Sequence, residues 1–424
     1  MAGSRAALKS VDTTAPHYDG PIFDADSHIQ EKDYSFCERY LPKEFHKDWL
    51  PQRKYGPDGQ FGMFLGDSYR IENAALDPDG LIPPPGKLKE WLLAISTGDS
   101  VMAAFTPTPD MSELEPRLAK LDEFEVEGCV MFVGEFVSCF GQILLQAEKL
   151  GNAGANALFH AWNEYLVKEW ALNARDQLYT TAVLSLHDLD WAVAEAKWLV
   201  ENGLRVCVMP MGPFGGKSPA DPYFDPFWKV LNDAGVVVTF HVSEANFMHP
   251  VIREWGEEPL QNRKNGQTAW QWMFAYSEIP VMMTMANFIY WNFFERFPNI
   301  KMASVENGAE WLPRFLYKMD KMRGMARSGF WPMGQLKERP STIFKRNCFV
   351  VAYPEDDIKG IVDQLGGDAS CLLMGSDYPH AEGVARPRDF VEEGCQGLTP
   401  EQIEQVMFSN GRRMLPRGRT GIVA

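Results

Sequence analysis

What the chain lacks narrows its class before any motif is considered. It has no run of about 18 uninterrupted apolar residues, the length a membrane-spanning helix needs. The closest approach, "IPVMMTMANFIYWNFF", is broken by Pro280, Asn287 and Asn292 and flanked by Glu278 and Glu295. The N-terminal "MAGSRAALKSVDTTAPHYDG" lacks the apolar core of a signal peptide, so residues 1–20 are expected to form a surface arm. No CxxC pair occurs among the seven cysteines, at positions 37, 129, 139, 207, 348, 371 and 395. Several stand inside apolar runs such as "EGCVMFV" and "NCFVVAY", where a reduced thiol behaves as a small hydrophobe. That pattern predicts a reducing, cytoplasmic setting and no disulfide framework. Positive charge is scarce too: 41 Lys and Arg face 57 Asp and Glu, for a net charge of −16. Nucleic acid and anionic membrane surfaces both require a cationic face, so neither is expected as a partner. Low-complexity tracts and short internal repeats are also missing.

What is present is a chain of 424 residues, 45% hydrophobic, long enough for one large domain with insertions or for two domains. Eight short runs rich in β-branched or aromatic residues recur along it. They are Pro21–Ala25, Cys129–Val133, Tyr179–Leu184, Arg205–Met209, Val236–Phe240, Ile300–Val305, Cys348–Ala352 and Cys371–Met374. Between them lie helical patterns. "DLDWAVAEAKWLVENG" carries apolar residues at helical spacing and ends on Gly203, and "DPFWKVLNDAG" repeats the arrangement. "LTPEQIEQVMFSNGRRML" offers Thr399 as N-cap and Pro400 at the first helical position. Alternating strands and helices on this scale predict an α/β fold, a (β/α)8 TIM barrel. A doubly wound open sheet is the alternative, although no GxGxxG follows the first strand. The connection from Gln30 to about Asp110 is unusually long and holds "YGPDGQFGMFLGD" and "LIPPPGKLKEW". The expected organisation is therefore an arm (1–20) and a barrel (21–424), with 31–110 as a lid or insertion on the C-terminal face. A contact between subunits is the other reading of that insertion.

The ends of strands 1, 5 and 8 converge on one mouth of a closed barrel. Strand 1 ends in Asp26 and His28, "GVVVTFH" in His241, and "CLLMGSDYPH" runs into Asp377. A single strand-end His is ordinarily a hydrogen-bonded core residue, and a single Asp before "YP" a turn residue. Together, two imidazoles and two carboxylates form a nitrogen/oxygen set suited to one divalent transition metal: zinc first, manganese or iron otherwise.

Through "DADSH", "DPYFDPFWKVLNDAGVVVTFH", "NGAEWLPR", "LLMGSDYPH" and "QVMFSNGRRML", in that order, the chain resembles the amidohydrolase superfamily from Pro21 to Leu415. Within it, the chain is similar to the branch of aminocarboxymuconate-semialdehyde decarboxylase and the resorcylate-type decarboxylases. The resemblance implies a metal-dependent (β/α)8 enzyme with Asp26, His28, His241 and Asp377 as ligands. Two departures stand out. Asp26 occupies a position where relatives commonly carry His or Glu, and the strand-6 His is absent, since no His lies between positions 249 and 380. Glu306, in "KMASVENGAEW", stands nearest that missing group and is a candidate base or further ligand. His380 and Glu382 are candidates for acting on substrate or orienting ligands, and His187, Glu135 and Glu244 for facing the mouth. "MPMGPFGGKSP" is expected to form a pocket wall, and Arg253, Arg386 and Arg388 are candidates for substrate carboxylate recognition. The aromatic segment "TAWQWMFAYSEIPVMMTMANFIYWNFFERFP" suggests buried helix and a homodimer contact. The expected function is hydrolysis of a small apolar or aromatic substrate through metal-activated water, with Asp377, Glu306 and His380 as catalytic groups. Non-oxidative decarboxylation and a non-catalytic ligand-binding barrel are the alternatives.

Overall fold

The apolar runs become parallel strands that close into a ring. The computed structural model describes residues 16–31, 34–56, 59, 61–66, 69–71, 80–97, 105–134, 140–243, 245–258 and 268–418. Most of the N-terminal arm, and with it Glu135, Cys139 and Glu244, lies outside them.

Strand β1 (Ile22–His28) is followed by an antiparallel sheet of β2 (Pro51–Tyr55), β3 (Phe61–Leu65) and β4 (Tyr69–Ile71). The remaining strands are β5 (Val126–Phe132), β6 (Leu178–Thr180), β7 (Ala182–Val183), β8 (Val206–Val208), β9 (Val237–His241), β10 (Lys301–Val305), β11 (Cys348–Ala352) and β12 (Leu372–Met374). Parallel pairing runs β1–β5–β6 and then β7–β8–β9–β10–β11–β12. β6 and β7 flank Thr181, whose N–H and hydroxyl both donate to the Met131 carbonyl, so they act as one barrel strand that changes partner midway. The last seam closes where the His28 N–H donates to the Tyr378 carbonyl (2.7 Å) and the Asp377 N–H to the Asp26 carbonyl (2.8 Å). The TIM barrel is thus complete at eight strand positions.

Such strands are covered on both sides, by interior side chains and by outer helices, which is why they read as continuous apolar runs rather than alternating ones. β9 and β11 are buried at every residue. The helices end where local chemistry requires. Asp188 caps Leu189–Glu201 by accepting from the Trp191 N–H. Asp225–Ala234 stops at Gly235, whose φ of 64° is the left-handed conformation that glycine adopts without a Cβ clash. Thr399 and Gln402 form a reciprocal capping box at the start of the closing helical segment. Six of the cysteines (37, 129, 207, 348, 371 and 395) are buried and free.

The connection between β1 and β5 is anchored at the mouth. The N–H groups of Gly86 and Leu88 donate to the carbonyls of His380 (3.1 Å) and Ala381 (2.9 Å). Gln30 donates in turn to the carbonyl of Met111 (2.8 Å).

Candidate metal centre

β1 brings Asp26 and His28 to the mouth, β9 brings His241, and the turns after β10 and β12 bring Glu306 and Asp377. Asp26, His28, His241 and Glu306 each offer an atom to a common group whose members all lie within 4.8 Å of one another. His28 Nε2 and His241 Nε2 stand 3.1 Å apart. Asp26 Oδ1 is 3.4 Å from the first and 3.6 Å from the second, and Glu306 Oε2 is 3.2 Å from His241 Nε2. Asp377 Oδ1 joins through His28 Nε2 at 3.4 Å and lies 2.7 Å from His380 Nδ1.

The candidate donors fall into overlapping groups. Glu306 completes the group of four, and Asp377 forms a second group with His28 and His380. The longer glutamate reaches His241 from β10, whereas the short Asp377 side chain is engaged by His380. Glu306 also groups with Asp377 and Glu382, which places three carboxylates on the open side. Side-chain exposure follows the same division: 3% for Asp26 and 2% for His28, against 18% for Glu306 and 27% for His380.

The backbone at this site is strained where it presents acids. Glu306 and Asp377 both have φ of 54°, a left-handed conformation disfavoured for residues other than glycine. Behind them, Gly375 has no room for a side chain, because a Cβ there would approach the Asp26 Cβ to 2.5 Å. Asp24 acts as a brace. Its carboxylate accepts from the Ser376 N–H (2.9 Å) and hydroxyl (2.5 Å) and from the Asp26 N–H (3.2 Å). It thereby ties β1 to the turn that carries Asp377.

The electrostatics follow from burial and proximity. Burial alone would raise the Asp26 carboxyl, but the facing imidazoles of His241 and His28 outweigh it and hold Asp26 below the usual carboxylate range. His28 is pushed down to about 3 by burial and by its neighbour His380, so it is neutral. His241 loses affinity through burial and more than regains it from Asp26 and Glu306, for a net upward shift. Glu306 and Asp377 are both raised well above the ordinary range, first by burial and then by neighbouring carboxylates. His241 Nδ1 lies 3.0 Å from the Val242 carbonyl, which can only accept. The ring proton therefore sits on Nδ1 and the Nε2 lone pair points into the cluster. Asp26 Oδ1 is buried without a directed hydrogen bond. An orphaned carboxylate oxygen facing two imidazole nitrogens is the arrangement a divalent ion resolves.

The comparisons identify the family. The amidohydrolase family profile matches residues 151–417. The chain belongs to the amidohydrolase family. Among solved structures, this family member is similar to an amidohydrolase from Mycobacterium avium subsp. paratuberculosis K-10. The TM-score is 0.75 and the identity 24%, over 96% of this chain and 100% of that one. It is also similar to 5-carboxyvanillate decarboxylase from Sphingomonas paucimobilis, with TM-score 0.57 and 16% identity over 93% and 98% of the two chains. A dihydroxybenzoic acid decarboxylase from Polaromonas sp. JS666, solved with manganese and 2-nitroresorcinol, gives TM-score 0.52 and 16% identity over 77% and 93%. No curated protein sequence matches the chain.

The other expected residues of this amidohydrolase fall into two groups. His380 and Glu382 stand at the cluster. His187 does not: its Nδ1 pairs with Ser185 Oγ (3.0 Å), its ring packs on Phe159 and Trp191, and burial pushes it down to about 4. It lines a cleft of about 520 Å³ with Met211, Phe214, Phe247 and Arg253, of which the "MPMGPFGGKSP" loop forms one wall as expected. Arg388 is turned away, bound to the Tyr18 carbonyl and Glu125, and Arg386 is exposed. Two contributors went unforeseen. Tyr353 donates its hydroxyl to the Glu306 carbonyl (2.7 Å), supporting the strained turn. Phe132 sets its ring 4.7 Å from that of His241 and 5.8 Å from that of His28, an apolar wall against both ligands.

Proposed function

We propose that this amidohydrolase is a single-metal hydrolase acting on a small organic substrate with an apolar or aromatic body. The observation that carries the reading is the convergence of Asp26, His28, His241 and Glu306 on one point, with Asp26 Oδ1 buried and unpartnered. The donors suit zinc, manganese or ferrous iron, and manganese in the Polaromonas relative supports the same ligand chemistry. A bound ion would supply Lewis-acid polarisation of a substrate oxygen and a lowered pKa for water.

The chain's own residues handle the proton. Asp377, raised by burial, accepts it at Oδ1 and shares it with His380 Nδ1 at 2.7 Å. General-base assistance of this kind contributes roughly 100- to 10,000-fold. In this reading the 520 Å³ cleft, lined from the loops after β7, β8 and β9, takes the apolar body. The connection anchored at His380 and Ala381 covers the site as a lid. The setting is cytoplasmic, in keeping with the free buried cysteines. Exposed Trp255, Trp272, Met273 and Met283 form the face on which two copies would pair, which light scattering decides.

The second reading, non-oxidative decarboxylation, is favoured by the similarity to carboxyvanillate and dihydroxybenzoate decarboxylases. The test is a panel of aryl esters, lactones and amides beside hydroxybenzoates, run with zinc- or manganese-loaded protein in 18O-enriched water. Hydrolysis places 18O in the product. Carbon dioxide release without incorporation overturns the hydrolytic reading, and full activity after chelation overturns both.

A further inference from the structure

Arg117 lies outside the donor cluster yet holds the backbone from which its donors hang. It belongs to the helix Leu114–Glu123 and its side chain is wholly buried. Nε donates to the Asp110 carbonyl (2.6 Å), Nη1 to Ser27 Oγ (2.8 Å) and Nη2 to the His28 carbonyl (2.5 Å). None of the three acceptors is a carboxylate. Asp110 uses its carboxylate elsewhere, accepting from Tyr378 Oη (2.8 Å) and Thr108 Oγ1 (2.6 Å). The guanidinium carbon stands 5.3 Å from the centre of the Tyr378 ring, and the Tyr378 carbonyl accepts from the His28 N–H (2.7 Å). The contacts form a closed circuit: Arg117 to His28, His28 to Tyr378, Tyr378 to Asp110, Asp110 back to Arg117. One candidate ligand, His28, is in the circuit, and another, Asp377, is the residue next to Tyr378.

A buried cation with no carboxylate bound directly to it is costly, and an apolar residue of similar volume would often stabilise such a position more. What a guanidinium adds is a rigid planar fork that fixes several acceptors relative to one another. Here the acceptors lie on β1 and on the end of the long connection, where the Asp110 carboxylate in turn accepts from Tyr378 of the turn after β12.

We propose that Arg117, acting through Asp110 and Tyr378, is a positioning residue that sets the orientation of His28 and Asp377 at the metal centre. The proposal rests on the reading of that cluster as a metal site. Arg117 touches neither substrate nor ion, and its effect is on ligand geometry.

The test is titration of metal-free protein with Co2+, following the visible absorption bands, with affinity measured by chelator competition. Arg117→Lys keeps the charge and loses the fork. Tyr378→Phe removes one hydrogen bond and keeps the ring. Arg117→Lys is expected to weaken Co2+ binding by about 10- to 100-fold, the range for residues that orient ligands, and to alter the bands. Tyr378→Phe is expected to act in the same direction and less, with the melting temperature of the metal-free protein near wild type. If Arg117→Lys fails to fold, Tyr378→Phe decides by the same two readouts. Wild-type affinity and an unchanged spectrum in the folded variants overturn the proposal alone. Wild-type protein that takes up no stoichiometric Co2+ overturns the metal reading and this proposal together.

Discussion

The two sides of the barrel mouth are built from opposite materials. On one side β1, β9, β10 and β12 end in His28, His241, Glu306 and Asp377, with strained turns at the two acids. On the other side, β5 ends in Phe132, and the loops after β7 and β8 carry His187, Met211 and Phe214 into the cleft, which Glu148 and Arg253 also line. Both sides contain histidine, but only one groups it with carboxylates. His241 has its Nδ1 at a carbonyl and His187 has its Nδ1 at a hydroxyl, yet the His187 ring is packed between Phe159 and Trp191. What separates a candidate ligand from a packing residue here is therefore the company of carboxylates.

The difference can be broken most sharply on the charged side. His241→Ala is expected to lower metal affinity by more than about 100-fold, above the range for merely supporting residues, and to abolish activity. Metal stoichiometry by mass spectrometry, beside turnover, checks this. Asp377→Asn removes the proton acceptor and is expected to reduce kcat by roughly 100- to 10,000-fold, with the smaller loss in His380→Ala. A pH–rate profile that keeps its acidic limb in Asp377→Asn would count against the assignment.

On the apolar side, the effects are smaller and different in kind. Phe214→Ala or Phe247→Ala is expected to raise KM about tenfold, equivalent to about 1.4 kcal/mol of lost apolar burial, with kcat little changed. A fall in kcat at constant KM would assign these rings to the chemistry instead. His187 sharpens the contrast further through stability. Burial holds it neutral in the fold, with its pKa lowered from 6.5 to about 4, so the unfolded chain binds its proton first as the pH falls. Its contribution is therefore fully present above pH 6.5 and is lost progressively as the pH drops towards about 4. The loss is at most about 3 kcal/mol by the size of the shift. Melting curves of His187→Gln are expected to be flatter than wild type across that window.

The barrel was legible in the sequence because its strands are apolar on both faces and stand out as runs. The strand pattern also marked four candidate donors, since Asp26, His28, His241 and Asp377 stand at or just past the ends of such runs, and the fold brings them together. Glu306 was legible only as the group nearest a missing His, because a one-dimensional pattern does not show that its carboxylate reaches His241 Nε2. Arg117 was invisible: in "ELEPRLAKLDEFE" it sits among charges, and the sequence reads as a solvated helix face although Arg117 points inward. Tyr353 was hidden in "VVAYPEDD", where a tyrosine before a proline reads as a turn. The antiparallel sheet β2–β3–β4 was obscured by the glycines and the proline of "YGPDGQFGMFLGD", which signal loop more strongly than the short apolar "FGMFL" signals strand.

The long connection meets the loop that carries His380 through the N–H groups of Gly86 and Leu88 and the carbonyls of His380 and Ala381. The hydrogen bonds run main chain to main chain, yet the seat admits only glycine at position 86, where φ is 66° and a Cβ would collide with the Ala385 nitrogen. Any side chain there would lift the connection off the loop beneath it. One absent Cβ thus decides how closely two segments far apart in the chain can meet.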